Sequence, residues 1–313
     1  MNIICVVSLG ISKSYFEGLK SRYASQGHVF TYYMDRREDE DTLAERMRDA
    51  DIVVISNIKL TANVLQQCPR LKYLSVAFTG LDHIDLAYCR EHGITVQNAA
   101  GYSTTAVSEL AVGMMLDLLR NIVTLSEAMH QGGSRGTFLG RELRGKTVGI
   151  VGTGAIGTAT ARLLLAFGAN VIAWSRTRRT DVEALGVTYV PLDDLLGKSD
   201  IVSLHVPLND ETRGLIGKRE LALMKPTALL VNTARGPVCD IAAVADALIA
   251  GRIAGAAFDV FEKEPLPMES PLLHTSHPER VLLTPHVAWV SEETRKRLAD
   301  EMARNIRDYY RMN

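Results

Sequence analysis

Three apolar runs in the second half of the chain each end on a residue able to bind an anion or move a proton. Ala228 to Asn232 runs into Thr233-Ala234-Arg235-Gly236, Ile253 to Phe258 runs into Asp259 with Glu264 in the loop beyond, and Val281 to Thr284 runs into Pro285-His286. Reducing a carbonyl requires a cation for the substrate's negative charge, a proton donor for the developing alkoxide and a group that tunes the donor. Arg235, His286 and Glu264 fit those roles, since a carboxylate beside a histidine favours the form that can give a proton. Asp259 adds a second carboxylate directly past a strand end. Singly, each has a plain structural reading: a salt bridge for Arg235, an exposed loop acid for Glu264, a cap for His286. At successive strand ends beside a dinucleotide loop, they read together as one catalytic constellation.

That loop is Val148-Gly149-Ile150-Val151-Gly152-Thr153-Gly154-Ala155-Ile156-Gly157, a strand running into GxGxxG and then a helical stretch from Thr158 to Phe167. Gly152 permits the tight turn, Gly154 lets backbone approach a pyrophosphate, and Gly157 lets helix and strand pack closely. Ala155 and Ile156 stand at the helix start, whose N–H groups and dipole attract an anion. The residue that reads the adenosine ribose should end the next strand, about 20 residues on. An acid is usual there for NAD, but Asn170 to Trp174 ends in Ser175-Arg176-Thr177-Arg178-Arg179. Guanidinium groups pair with a 2′-phosphate, so Ser175, Arg176 and Arg179 favour NADP over NAD. The alternative is a solvated basic loop beside an indifferent NAD site.

These residues need strands to place them. β-branched runs alternate with helix-period stretches: Asn2 to Val7, His28 to Tyr33, Asp51 to Ser56, Leu71 to Ala77 and Ile94 to Gln97, then Lys146 to Val151, Asn170 to Trp174, Ile201 to His205 and the three runs above. Such alternation predicts α/β architecture with two doubly wound parallel-sheet domains. Ser103 and Thr104 can cap one long connecting helix from about Thr105 to the Gln131-Gly132-Gly133 break. The boundary falls near Ala100. Leu298, Met302, Ile306 and Tyr309 mark one face of a final helix that could return to the first domain.

Composition narrows the partners. The 313 residues are 47% hydrophobic, and 35 Lys and Arg balance 36 Asp and Glu, giving no global field for nucleic acid or an anionic membrane. Cys5, Cys68, Cys89 and Cys239 are widely spaced, without a metal-like cluster, and read as reduced cytosolic thiols. No metal is expected. The N-terminus reads as a strand rather than an export signal, and no stretch reads as transmembrane, so the expectation is a cytoplasmic enzyme.

The chain resembles the D-isomer-specific 2-hydroxyacid dehydrogenases along nearly its whole length. The resemblance is carried by Gly145-Lys146-Thr147-Val148-Gly149-Ile150-Val151-Gly152-Thr153-Gly154, Asn232-Thr233-Ala234-Arg235-Gly236, Asp259-Val260-Phe261-Glu262-Lys263-Glu264-Pro265 and Thr284-Pro285-His286. It implies a Rossmann coenzyme domain, 100–287, inserted into a flavodoxin-like substrate domain made of 1–99 and 288–313. It implies Arg235 as binder of the substrate carboxylate, His286 as acid/base and Glu264 as its partner. It also implies that Asp259, Thr233, Ala234, Thr212 and the His205-Val206-Pro207 segment line the cofactor, and that the protein is a homodimer through the coenzyme domain.

The loop Ala77-Phe78-Thr79-Gly80-Leu81-Asp82 matches the family's substrate loop, whose backbone N–H groups hold the carboxylate, with Phe78, Thr79 and Gly80 as the candidates. Trp289 stands where many members carry a small residue; it either narrows the substrate pocket or fills a domain contact. Ala100-Gly101-Tyr102-Ser103-Thr104 resembles the glycerate dehydrogenase and hydroxypyruvate-glyoxylate reductase branch. Thr79 in place of a lysine argues against phosphite oxidation, Glu264 in place of Gln against formate oxidation, and no regulatory extension of the phosphoglycerate type is expected. The implied activity is hydride transfer between a nicotinamide and a small 2-oxoacid or D-2-hydroxyacid, acting on CH–OH donors, with hydroxypyruvate or glyoxylate foremost. The alternatives are a dehydrogenase for a larger 2-oxoacid and a dinucleotide-sensing, corepressor-like binding protein.

Overall fold

The computed structural model of the chain describes residues 1–312. They divide into two compact units, Met1–Ser103 joined by the stretch from Val290 onward, and Thr104–Trp289.

The first unit is built on five parallel strands, β1 (Asn2–Cys5), β2 (Val29–Tyr32), β3 (Ile52–Ile55), β4 (Tyr73–Val76) and β5 (Thr95–Asn98), in the order β2-β1-β3-β4-β5. This is the flavodoxin-like order of doubly wound sheets. β3 and β4 are buried at every residue, as strands covered on both faces must be, and this explains the unbroken Ile52-Val53-Val54-Ile55 run of β3 in place of an alternating pattern. The helix Glu292–Met312 returns to this unit, with Leu298, Met302 and Ile306 buried. Its expected apolar face is therefore the packed one.

The second unit holds seven parallel strands: β6 (Thr147–Val151), β7 (Asn170–Trp174), β8 (Thr188–Tyr189), β9 (Ile201–Leu204), β10 (Leu229–Asn232), β11 (Gly255–Phe258) and β12 (Val281–Leu283). Their order is β12-β11-β10-β9-β6-β7-β8, in which β6 lies between β7 and β9 and the order reverses. That reversal is the Rossmann switch point, where a crevice opens outside the strand ends. Two hydrophobic clusters fill the layers on either face, and neighbouring residues of β10 contribute to opposite ones: Leu230 packs with Leu204, Leu248 and Phe258, while Leu229 and Val231 pack with Met115, Leu118 and Leu164.

Two expectations need correction. The connector is not one helix but two, Thr104–Arg120 and Ile122–His130, broken at Asn121, whose φ is +48°. Asn tolerates the left-handed region better than most residues, and the Asp117 carboxylate accepts the Val123 N–H at 2.8 Å, satisfying a donor in the first turn of the new helix. The two-residue strand β8 was also not anticipated, being too short to show a period.

Candidate active site

The site in the second unit begins with Asn232, the last residue of β10 and fully buried. Its amide donates to the Arg235 carbonyl at 3.0 Å and accepts from the Ala234 N–H at 3.0 Å, folding the following loop around one side chain. Gly236 then lies directly on the next loop: a Cβ there would stand 2.2 Å from the Phe261 carbonyl carbon and 2.4 Å from the Glu262 nitrogen. Only glycine permits that approach. It brings the Arg235 segment beside the loop that carries Glu264.

Glu264 is held at both oxygens. Oε1 accepts the Phe261 N–H at 3.0 Å, and Oε2 lies 2.8 Å from His286 Nδ1. Burial pushes the Glu264 carboxyl upward, but the hydrogen bonds from His286 and the Phe261 N–H, with the charges of His286 and Arg235, hold it below its ordinary value. It stays ionised. Arg235 is close enough to act on that charge, and its Nη1 donates to the Ala234 carbonyl at 2.8 Å.

His286 adopts φ +54°, a left-handed conformation uncommon outside glycine. The residues around it explain how it is kept there. Asp259, fully buried just past β11, accepts Thr284 Oγ1 at 2.6 Å, the Val287 N–H at 2.9 Å and the Ala288 N–H at 2.9 Å. Burial raises the Asp259 carboxyl, against those three donors. The carboxylate assigned to a cofactor thus also fastens the backbone on both sides of the histidine. Trp289 lies partly buried at the end of this unit.

At the switch point, Gly152 has φ +98°, and a Cβ on it would lie 2.9 Å from the His205 backbone; one on Gly157 would lie 2.0 Å from the Gly152 carbonyl oxygen. Both glycines are buried, whereas Gly154 and Ala155 are exposed, with Ile156 partly buried, at the start of the helix Ala155–Ala166, which no side chain caps. Uncapped N–H groups over an open glycine suit a pyrophosphate. Thr233 Oγ1 and His205 Nδ1 are buried without a hydrogen-bond partner, a costly condition that a polar ligand could relieve at the former, beside the strand ends. Thr212 is differently disposed: its hydroxyl donates to the Pro207 carbonyl at 2.6 Å and closes the 207–212 turn. Val206 and Ala234 are buried and Pro207 exposed.

Ser175 and Arg176 follow β7. Arg176 meets Glu211 only at 3.5 Å, with both side chains largely exposed, while Arg179 is tied to Asp181 at 2.6 Å and to the Thr153 carbonyl at 3.2 Å. Among the described residues no three His, Cys, Asp or Glu side chains gather as a metal site needs.

In the first unit, Phe78, Thr79 and Gly80 leave β4 in a loop tied to the end of β5. The Ala99 N–H donates to the carbonyls of Val76 and Phe78 at 3.0 and 3.1 Å, and Asn98 Nδ2 donates to the Thr79 carbonyl at 2.6 Å.

Residues 112–288 match the family model described as the D-isomer specific 2-hydroxyacid dehydrogenase, NAD binding domain. The chain belongs to this family. Among the relatives of this 2-hydroxyacid dehydrogenase, the glyoxylate reductase of Thermofilum pendens is 42% identical over 274 residues, covering 85% of the chain and 80% of the relative. The hydroxypyruvate reductase of Blautia hydrogenotrophica is 32% identical over 290 residues, 90% of the chain and 89% of the relative. A solved acyclic imino acid reductase in complex with NADPH and D-Arg superposes with a TM-score of 0.90 at 30% identity, over 100% of the chain and 98% of that structure.

The dehydrogenase is an oxidoreductase acting on CH–OH donors, and its coenzyme domain binds NAD(P). Asn232, Thr284 and Asn98 received no role from the sequence. The available signal was positional: each is a polar residue at or just past a strand's end, where a side chain can fold the loop that follows.

Proposed function

We propose that the protein reduces small 2-oxoacids, hydroxypyruvate and glyoxylate foremost, with NADPH preferred to NADH, as a homodimer in the cytoplasm. The 2.8 Å pairing of His286 Nδ1 with an ionised Glu264, beside Arg235, carries this reading.

The residues present fit a dinucleotide: the Gly152–Gly157 turn and the helix start would hold the pyrophosphate, and Asp259 and Thr233 would meet the nicotinamide end. When bound, the nicotinamide supplies the hydride. Arg235 is the cation for the substrate carboxylate in the second unit; in the first unit, the N–H groups of the Thr79-Gly80 loop are the carboxylate donors that the family resemblance implies. With Nδ1 committed to Glu264, His286 delivers its proton from Nε2 to the carbonyl oxygen as the carbon takes the hydride, and recovers one in the reverse direction. Glu264 keeps the ring oriented and compensates the charge it carries before the transfer. Asp259, through the Val287 and Ala288 N–H groups, keeps the histidine aimed.

Ser175 in the ribose-reading position and the loosely paired Arg176 support NADPH, since a guanidinium in a 3.5 Å exposed contact gives up little to turn to a phosphate. The relatives named glyoxylate and hydroxypyruvate reductases support the substrate class. Four buried free cysteines suit a reducing compartment, and among the described residues no helix is long and apolar enough to cross a membrane.

The test is to compare kcat/KM for hydroxypyruvate, glyoxylate, pyruvate and a bulky aromatic 2-oxoacid, each with NADPH and NADH. Hydroxypyruvate and glyoxylate with NADPH should lead, and Arg176→Asp should lower NADPH efficiency about tenfold or more relative to NADH. Highest efficiency with the aromatic acid would assign a larger substrate, and an unchanged cofactor ratio in the variant would remove the 2′-phosphate role.

A further inference from the structure

A chain of side-chain hydrogen bonds in the first unit ends on the loop at Thr79. Asn305, on the helix Glu292–Met312 and only 1% exposed, accepts from Gln97 Nε2 at 2.9 Å and donates from Nδ2 to the Asn98 carbonyl at 3.1 Å. The Tyr73 hydroxyl contacts Gln97 Oε1 at 2.7 Å and the Asn305 carbonyl at 3.3 Å, while its ring stacks on Tyr309 at 4.2 Å. Asn98, gripped through its own backbone, then donates to the Thr79 carbonyl at 2.6 Å. The network runs from the buried Asn305 and Tyr73 to the exposed Gln97 and the half-buried Asn98, and its linked hydrogen bonds favour one arrangement of β5, the returning helix and the loop.

In a planar trans peptide the C=O and the following N–H point in opposite directions. Asn98 draws the Thr79 carbonyl to the β5 side, which turns the Gly80 N–H the other way. The Ala99 N–H draws the Phe78 carbonyl to that side at 3.1 Å and turns the Thr79 N–H likewise. Two successive N–H groups thereby point away from the sheet end together, and such a pair makes a concavity for an anion.

We propose that Asn98, held by Asn305, is a positioning residue for substrate: it orients the Thr79–Gly80 peptide so that the loop presents paired N–H groups to the carboxylate. This rests on the loop being the carboxylate-binding segment, as proposed above. Asn98 touches neither substrate nor cofactor in this role; it acts through the peptide it fixes.

Asn98→Asp keeps the shape but replaces the amide donor with a carboxylate that repels the Thr79 carbonyl. It should raise KM for hydroxypyruvate and glyoxylate about tenfold, with kcat within about threefold and NADPH affinity within about twofold of the parent. Asn305→Ser, one bond further back, should give a smaller rise of about threefold and provides a second reading if the first variant does not fold. Amide hydrogen exchange of the 77–82 segment, with and without the unreactive analogue oxamate, separates the two levels. In the parent, oxamate with cofactor should slow exchange at Thr79 and Gly80; in Asn98→Asp the unliganded segment should exchange faster. No slowing by oxamate in the parent would overturn the loop reading, and this proposal with it. Slowing in the parent, but unchanged KM and exchange in folded variants, would overturn the role of Asn98 alone. So would a fall in Tm without any change in KM.

Discussion

His286, the proposed acid/base, sits at a left-handed backbone position, φ +54°, that side chains adopt only when their surroundings impose it. Here the surroundings are Asp259 and its bonds to the Thr284 hydroxyl and the Val287 and Ala288 N–H groups, so a fully buried carboxylate holds the backbone on both sides of the histidine. His205 is the opposite case. Its Nε2 meets Ser203 Oγ at 2.9 Å, Nδ1 has no partner, and burial pushes its pKa down to about 4. The unfolded chain, with a histidine near 6.5, binds this proton more readily, so stability is lost as pH falls from about 6.5 toward 4. At pH 5.5 the loss is on the order of 1 kcal/mol. The cofactor-free His205→Gln protein should therefore lose less Tm between pH 7 and pH 5.5 than the parent. Equal losses in thermal melts at the two pH values would contradict a neutral, buried His205.

Among the elements, strands were far more legible than joints. Asn170 to Trp174 was read with its bounds intact because Val171 and Ala173 are buried between flanking turn residues, while the break at Asn121 left no trace because no Gly or Pro marks it and apolar residues continue on both sides. Arg235, Glu264 and His286 could be nominated because each lies at or just beyond a strand end. Their positioning by Asn232, Gly236 and Asp259 could not, since it depends on side-chain hydrogen bonds and on loops brought together only in the folded unit. Gly236 makes this testable. Ala in its place would drive a Cβ into the backbone at Phe261 and Glu262, which cannot rotate aside. Gly236→Ala should destabilise the unit by about 1–3 kcal/mol and lower kcat/KM at least tenfold. Wild-type stability in denaturant melts together with wild-type kcat/KM would show that the close approach is not required.

For the whole molecule, a formal net charge of −1 supplies little mutual repulsion between copies, and the second unit exposes apolar side chains along and beyond one helix: Ile122, Val123 and Met129 on Ile122–His130, and Leu139 at 87% exposure. No residue of that helix is buried, although its sequence is predominantly apolar. The proposed homodimer would cover this surface. Sedimentation at micromolar concentration should give twice the chain mass, and Ile122→Lys with Met129→Lys should give the single chain with its fold retained. A monomeric parent would contradict this.

In the proposed reduction of a small 2-oxoacid, His286, oriented by Glu264, supplies the proton. The direct measurement is the rate of NADPH absorbance loss with hydroxypyruvate in the parent and in His286→Ala, alongside cofactor affinity by fluorescence titration. Rapid oxidation by the parent is expected, with a fall of about 10²- to 10⁴-fold in the variant and cofactor affinities within about twofold of each other. A variant that reduces hydroxypyruvate at the parent's rate, or whose cofactor affinity falls as far as its rate, would contradict that role for His286.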